Sequence, residues 1–183
     1  MARRRAGRER ASEPPDAAAS LDLAARFLGT RPRTRWEVER RLRRAGVDDD
    51  VVHATLERLA DLGYLDDAAF VRWWGEQRDR HAPRGRRMLE AELRQRGVPS
   101  DVIEEFRAEY ATPERVPGDQ ALPSSDDERA AVALARHLRG RPVPTEPRAV
   151  QRLGAYLMRR GFDAETVRGA IRAAGAADLN ERD

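Results

Sequence analysis

Residues 63–97 read GYLDDAAFVRWWGEQRDRHAPRGRRMLEAELRQRG, and this stretch determines the fold that we predict. It begins with an acidic turn, passes through an aromatic cluster and a basic segment, and ends in a run with apolar residues at helical spacing. In that last run Leu89 and Leu93 stand four residues apart, and Gly97 follows four residues later. Such a pattern is typical of an amphipathic helix that ends at a glycine.

The end of this stretch recurs on either side of it. Around three glycines, apolar residues stand four and eight positions earlier, and a Pro-Arg dipeptide begins fourteen positions earlier. The aligned residues are Pro32, Arg33, Val38, Leu42 and Gly46 in the first copy, Pro83, Arg84, Leu89, Leu93 and Gly97 in the second, and Pro147, Arg148, Leu153, Leu157 and Gly161 in the third. This self-similarity predicts three copies of one helical unit.

A leading helix completes each copy, so we predict an all-α fold of three tandem three-helix repeats in an elongated, curved array. Ser20, Thr34 and Ser125 are predicted N-caps, and Thr34 forms a capping box with Glu37. The predicted boundaries are a disordered basic arm over 1–19, repeats over 20–63, 64–110 and 126–176, a linker over 111–125 and a tail over 177–183. We expect repeats one and two to be stiffly coupled through the short GYLDD turn.

The composition excludes several classes of protein. The chain has no cysteine, which rules out disulfides, thiolate catalysis and cysteine-bound metals. No apolar run approaches the roughly 20 residues that a membrane span needs. The basic start leads into Ser, Glu and Pro instead of the apolar segment of a secretion signal. We therefore expect a soluble, cytoplasmic protein without membrane contact, and a monomer.

Nothing in the sequence has the pattern of a catalytic or metal site. His53, His81 and His137 have no second ligand at metal spacing, and no phosphate-binding loop or nucleophile elbow is present. Asp66 and Asp67 could form a metal or acid/base pair, but their position at a predicted helix start favours capping. We therefore predict no cofactor, no metal and no enzymatic activity.

Arginines stand repeatedly where a helix is predicted to begin, as at Arg33, Arg84 and Arg148. All 35 basic residues are arginine, and cations at a helix start oppose the helix dipole. Their recurrence there favours an anionic partner, although ion pairs with the acidic third helices remain an open alternative. The residues predicted to bind a partner or nucleic acid are Arg33, Arg35, Arg72, Trp73, Arg78, Arg84, Arg86, Arg87, Arg94 and Arg148.

Two adjacent tryptophans stand in the aromatic cluster. On a helix Trp73 and Trp74 diverge by about 100°, so we expect only one of them to pack with Phe70. The other is either exposed to a partner or trapped between repeats, and we favour packing between repeats. Tyr64 and Leu65 are expected to staple the helix that follows them to the preceding one.

The central stretch resembles the RecX family of bacterial regulatory proteins. The resemblance covers residues ~20–175 and is most specific in the second repeat, at Tyr64, Leu65, Asp66, Asp67, Phe70, Gly85, Leu89, Leu93 and Gly97. It implies a modulator of the RecA recombinase that lies in the groove of the RecA filament on single-stranded DNA. Such proteins typically inhibit the ATPase and strand exchange of RecA in recombination and DNA repair, and no catalytic residues are known in them.

Two other functions remain as alternatives to the modulation of RecA. The tri-helical units could act as helix-turn-helix readers that bind duplex DNA directly. The chain could also be a scaffold for an acidic protein. The tryptophan pair, the Arg-rich arm and the long linker depart from the family pattern, and they leave the partner contacts open.

Overall fold

The computed structural model describes residues 14–111 and 125–180, with side chains through 108 and 177. Within these ranges every regular element is an α-helix, and no strand occurs. The helices are α1 Ala17–Leu28, α2 Arg35–Arg44, α3 Asp49–Asp61, α4 Asp67–His81, α5 Arg86–Gln95, α6 Ser100–Ala111, α7 Asp126–Leu138, α8 Pro147–Arg159 and α9 Ala164–Asn180. The predicted all-α fold of three-helix repeats is confirmed.

The second helix of each repeat ends in the same way. Gly46, Gly97 and Gly161 all adopt positive φ, at 79°, 71° and 91°. After each glycine, the next N–H donates to the carbonyl of the leucine five residues before it, at 3.2–3.4 Å. Glycine adopts this left-handed conformation without the steric cost that a side chain adds. The glycines that aligned the sequence copies are therefore helix stops.

Three predicted N-caps are confirmed. Thr34 and Glu37 form a reciprocal capping box at the start of α2. The Asp66 carboxylate accepts a hydrogen bond from the N–H of Ala69 at 2.9 Å, and the hydroxyl of Ser125 accepts one from a backbone N–H in α7. Asp66 therefore caps α4, as its position predicted.

The predicted cap at Ser20 is wrong. Helix α1 begins at Ala17, because the Asp16 carboxylate accepts the N–H of Ala19 at 2.8 Å. Ser20 is buried inside the helix, and its hydroxyl donates to a backbone carbonyl. The rest of the predicted arm, residues 1–13, lies outside the described residues, as do residues 112–124 of the predicted linker. Helix α9 continues to Asn180, so the predicted tail is helical up to that residue.

The chain divides into two compact units between Leu65 and Asp66. The first unit contains α1–α3, whose apolar faces meet in one core cluster that includes Val38, Leu42 and Leu56. Leu65 joins this cluster, whereas Tyr64 is 65% exposed. The expectation that Tyr64 staples two helices together is therefore wrong.

The second unit contains repeats two and three. Each has its own core cluster, and the two repeats pack on each other through polar contacts. The guanidinium of Arg129 on α7 donates two hydrogen bonds to Asp79 on α4, at 2.9 and 3.2 Å, and both side chains are buried. The N–H of Gly85 donates to the carbonyl of Arg160 at 2.9 Å. The Pro- and Ser-rich linker therefore connects two repeats that contact each other directly.

Both tryptophans pack against the core of the second repeat. Their ring centroids lie 5.7 Å (Trp73) and 6.0 Å (Trp74) from that of Phe70. The expectation that only one of them packs with Phe70 is wrong, because rings as large as indole reach the same residue from neighbouring positions on the helix.

Candidate partner-binding surface

Eight of the nine predicted binding arginines fall into two groups, according to whether a carboxylate contacts the guanidinium. Those in contact with glutamate are Arg35, Arg78, Arg84, Arg86 and Arg94. Those without an ion pair to any described residue are Arg72, Arg87 and Arg148. The first group has a structural role that limits its availability, so the second group is the stronger candidate for a partner.

The two arginines predicted in repeat one are engaged within the repeat. The guanidinium of Arg33 lies 4.0 Å from the ring centroid of Phe27 and donates to the Thr30 hydroxyl at 2.8 Å. Arg35 pairs with Glu57 on α3 at 2.5 Å, and its hydrogen bond lowers the pKa of that carboxyl. The alternative hypothesis, that these arginines form ion pairs with an acidic third helix, is thus correct for Arg35.

Glu92 collects several partners in repeat two. One of its oxygens accepts hydrogen bonds from Arg78 Nε at 2.8 Å and from Trp74 Nε1 at 2.9 Å. Its other oxygen lies 3.5 Å from Arg84 Nε, an ion pair without a hydrogen bond. The guanidiniums of Arg78 and Arg96 lie 4.4 and 3.9 Å from the Trp74 ring centroid. Trp74 is therefore held by cation–π contacts within its own repeat, not between repeats.

Glu90 is the centre of a second network in repeat two. The residue is 8% exposed and receives two hydrogen bonds of 2.9 Å from the guanidinium of Arg107 on α6. Arg94 donates to it at 3.0 Å, and Arg86 lies 4.0 Å away. The hydrogen bond from Arg107 is the main reason that the pKa of Glu90 is lowered. The network joins α5 to α6.

We expect Glu90→Gln to destabilise the protein at neutral pH and to have a much smaller effect in acid. A carboxyl whose pKa is lowered by folding adds stability above its unfolded pKa of about 4.3, and this stability is lost as the pH falls through the folded pKa. The free energy of unfolding, from urea titrations, should therefore fall by about 1–2 kcal/mol at pH 7. This difference should shrink as the pH falls below about 4.

The control is Glu76→Gln on α4, because Glu76 is exposed and makes no ion pair with a described residue. This variant should match the parent at every pH. A difference between Glu90→Gln and the parent that stays constant from pH 7 to pH 3 would show that the charge of Glu90 contributes nothing.

The three predicted arginines that form no ion pair with a described residue occupy exposed helix positions. Arg72 lies on α4, Arg87 in the first turn of α5 and Arg148 in the first turn of α8. Trp73, the aromatic residue predicted beside them, is half-buried against Phe70. Arg87 and Arg148 confirm the placement of cations at helix starts, where backbone N–H groups also favour an anion.

Sequence reasoning missed an exposed stripe on α2. Trp36 is 38% exposed, and the Arg40 guanidinium lies 4.9 Å from its ring centroid. Arg44 continues the stripe one turn later, and the exposed Arg41 lies beside it. The i, i+4, i+8 spacing of Trp36, Arg40 and Arg44 was the signal that could have revealed it. Arg40, Arg41 and Arg44 on α2 thus join Arg87 on α5 and Arg148 on α8. The second helix of every repeat therefore exposes at least one arginine that forms no ion pair with a described residue.

The residues that carry the sequence motif have structural roles. Phe70, Leu89 and Leu93 are at most 1% exposed, and Leu65 is also buried. Within residues 14–111 and 125–180, no cluster of three or more His, Cys, Asp or Glu could hold a metal ion. None of the helices in these ranges is both long enough and apolar enough to cross a membrane.

The sequence matches the family models described as RecX, first, second and third three-helix domain, over residues 21–59, 66–105 and 126–171. The regulatory protein RecX of Thermobifida fusca is 38% identical over 170 residues, covering 87% of this chain and 84% of the relative. The regulatory protein RecX of Mycobacterium avium is 34% identical over 172 residues, covering 93% of both chains.

Solved structures share the fold. The crystal structure of RecX from Lactobacillus salivarius superposes with a TM-score of 0.66 at 17% identity, covering 86% of this chain and 96% of that one. A second crystal structure of regulatory protein RecX gives a TM-score of 0.61 at 18% identity, covering 82% and 70%. With all three repeats matched in order, the chain belongs to the RecX family of regulatory proteins.

Proposed function

We propose that this chain binds the RecA filament on single-stranded DNA and inhibits its ATPase and strand exchange, as a cytoplasmic regulator of recombination and repair. Family membership supports the regulatory role. The observation that supports the binding mode is the recurrence, on α2, α5 and α8, of exposed arginines that form no ion pair with a described residue, one set in each repeat. The chain acts by binding, and its function requires no cofactor.

Repetition matters because each contact by itself is weak. An exposed arginine adds little affinity alone, since solvent and salt screen its charge. Three sets joined in one chain raise the effective concentration of each at its own site, so that their contributions combine. A partner with a regular array of acidic or phosphate groups, such as a protein–DNA filament, can engage all three.

We expect stoichiometric amounts of the chain to inhibit RecA-catalysed ATP hydrolysis on single-stranded DNA. The triple variant Arg41→Ala, Arg87→Ala, Arg148→Ala should require roughly tenfold or more protein for the same inhibition, because each exposed contact contributes up to about 1 kcal/mol. These three residues are exposed and have no ion pair with a described residue, so the fold should survive.

The matched control is Arg58→Ala, Arg168→Ala, Arg172→Ala. It removes the same charge from α3 and α9, the third helices of repeats one and three, where these arginines are also exposed and unpaired among the described residues. It should inhibit like the parent chain. Absence of any effect of the parent chain on ATP hydrolysis or filament disassembly would refute the proposal, and equal loss in both triples would refute the role of the second helices.

Direct DNA binding is the second candidate, favoured by the Trp36–Arg40–Arg44 stripe. An exposed aromatic ring with flanking cations can stack on unpaired bases and contact phosphates. Titration with DNA in the absence of RecA distinguishes the two functions. Sequence-dependent binding to duplex DNA would favour helix-turn-helix reading, whereas sequence-independent binding that weakens steeply with salt indicates backbone contacts.

A further inference from the structure

A polar cleft of about 580 Å³ lies between repeats two and three. It is formed by the end of α4 with the residues that follow it, and by α7, α8 and the loop between them. Among the described residues that line it, none is Asp or Glu. The basic groups on its walls are Arg136, Arg139, Arg141, Arg160, His81 and His137. We call it the junction cleft, and its volume suits a small ligand or part of a larger one.

Backbone carbonyls orient three of the cleft arginines. Arg136, Arg141 and Arg160 each donate one hydrogen bond to a carbonyl oxygen, at 3.0, 3.0 and 3.1 Å. A guanidinium has five N–H donors, so each of them keeps donors for a ligand. None of the four cleft arginines forms an ion pair with a carboxylate of the described residues. The side chains are thus oriented but not neutralised.

The fourth arginine has a strained backbone. Arg139 adopts the left-handed conformation, with φ 52° and ψ 46°, and every other described residue with positive φ is a glycine. A side chain in this conformation brings its Cβ too close to the following carbonyl oxygen, so the conformation is sterically disfavoured. Strain of this kind is a feature of ligand-binding sites. Arg139 lies on the cleft wall, at a backbone position that glycine would adopt without strain.

Aromatic contacts stiffen the opposite part of the wall. The His137 ring stacks on Tyr156 with centroids 3.9 Å apart, and the Arg160 guanidinium lies 4.8 Å from the Tyr156 ring centroid. Four arginines around one cleft repel each other, and an anion with several oxygens would relieve that repulsion. The planar guanidinium matches phosphate, which accepts two parallel hydrogen bonds from it.

We propose that the junction cleft is a phosphate-binding site that takes the phosphate groups of either a free nucleotide or a single-stranded nucleic acid. The site combines three features in one concave place: oriented donors, a positive charge that no described carboxylate pairs with, and a strained arginine. This proposal goes beyond regulation of RecA, because the cleft lies within the chain and its occupancy requires no second protein.

The test measures binding of two probes to the full-length chain by calorimetry, without RecA: inorganic pyrophosphate and an oligothymidylate of about 20 nucleotides, a length chosen to exceed a typical single-strand site. Arg139→Gly removes the guanidinium and relieves the backbone strain. Because glycine also loses more conformational entropy on folding, the two effects offset each other and the melting temperature should stay close to that of the parent. Affinity should fall about tenfold or more, because charge-assisted hydrogen bonds from a guanidinium to phosphate are among the strongest single contacts in a binding site. Arg141→Ala should act in the same direction.

Arg172→Ala is the control, because Arg172 is an exposed residue of α9 outside the cleft, and its loss removes the same charge. A loss of pyrophosphate affinity in the cleft variants but not in the control would identify a free phosphate ligand. A loss confined to the oligonucleotide would identify the nucleic-acid backbone. Unchanged affinity for both probes, or an equal loss in Arg172→Ala, would overturn the proposal.

Discussion

Asp79→Asn is expected to lower the free energy of unfolding by about 3–5 kcal/mol, the range for breaking a buried ion pair by removing one partner. The substitution keeps the size of the side chain but removes the carboxylate charge of Asp79 from Arg129, which is 3% exposed. Asp126 lies 3.6 Å from the same guanidinium and is partly exposed, so it compensates only in part and favours the lower end of the range. Urea titration followed by circular dichroism measures the effect.

A double variant shows whether the loss of stability comes from the buried guanidinium charge of Arg129. Asp79→Leu with Arg129→Met replaces both ions with apolar groups and should recover most of the stability, because neither charge is then buried. The exposed pair Asp22–Arg26 on α1 is the matched control, and Asp22→Asn should cost less than about 1 kcal/mol. If the double variant is as unstable as Asp79→Asn, the loss comes from packing instead.

Gly85→Ala is expected to open the contact between repeats two and three, at a cost of about 1–3 kcal/mol. A Cβ at Gly85 would clash with the carbonyl carbon and oxygen of Gly161, because it would stand closer to both than real contacts allow. The φ of Gly85 is −68°, which suits alanine, so the effect is purely steric. Relieving the clash requires movement that breaks the hydrogen bond from Gly85 to Arg160.

The measurement combines thermal unfolding with amide hydrogen exchange at residue 85, where opening of the contact should speed exchange. Gly169→Ala on α9 is the control, since a Cβ at Gly169 would meet nothing within 4 Å beyond the backbone of its own helix. In a helix interior this change should stabilise by about 0.5–1 kcal/mol. If Gly85→Ala left the melting temperature and the exchange rate unchanged, the close approach of Gly85 to Gly161 would not constrain the contact between repeats two and three.

The repeat could be predicted from sequence because its determinants are local. Helix stops at Gly46 and Gly97, and apolar residues four positions apart, depend only on neighbours along the chain. Gly85 shows the limit. In the sequence it is one glycine among arginines, and its role becomes visible only when the backbone of Gly161, in another repeat, lies against it. Contacts between distant segments leave no periodic pattern.

The candidate surface was predictable in composition but not in detail. The positions of Arg87 and Arg148 at helix starts followed from capping and spacing. The sequence did not show which arginines form ion pairs with glutamate, because this depends on how the helices pack. Arg78 on α4, for example, pairs with Glu92 on α5. The strain at Arg139 had no signal in the sequence, because nothing local indicates that an arginine will take a left-handed conformation.

The buried ion pair between repeats two and three also affects how the stability of the second unit changes with temperature. The cost of dehydrating ions falls as the temperature rises, whereas the stabilisation from apolar burial levels off. A contact held by the buried Asp79–Arg129 pair therefore loses less of its strength on heating than an aliphatic contact of equal area. The two repeats should remain associated until their own apolar cores begin to melt.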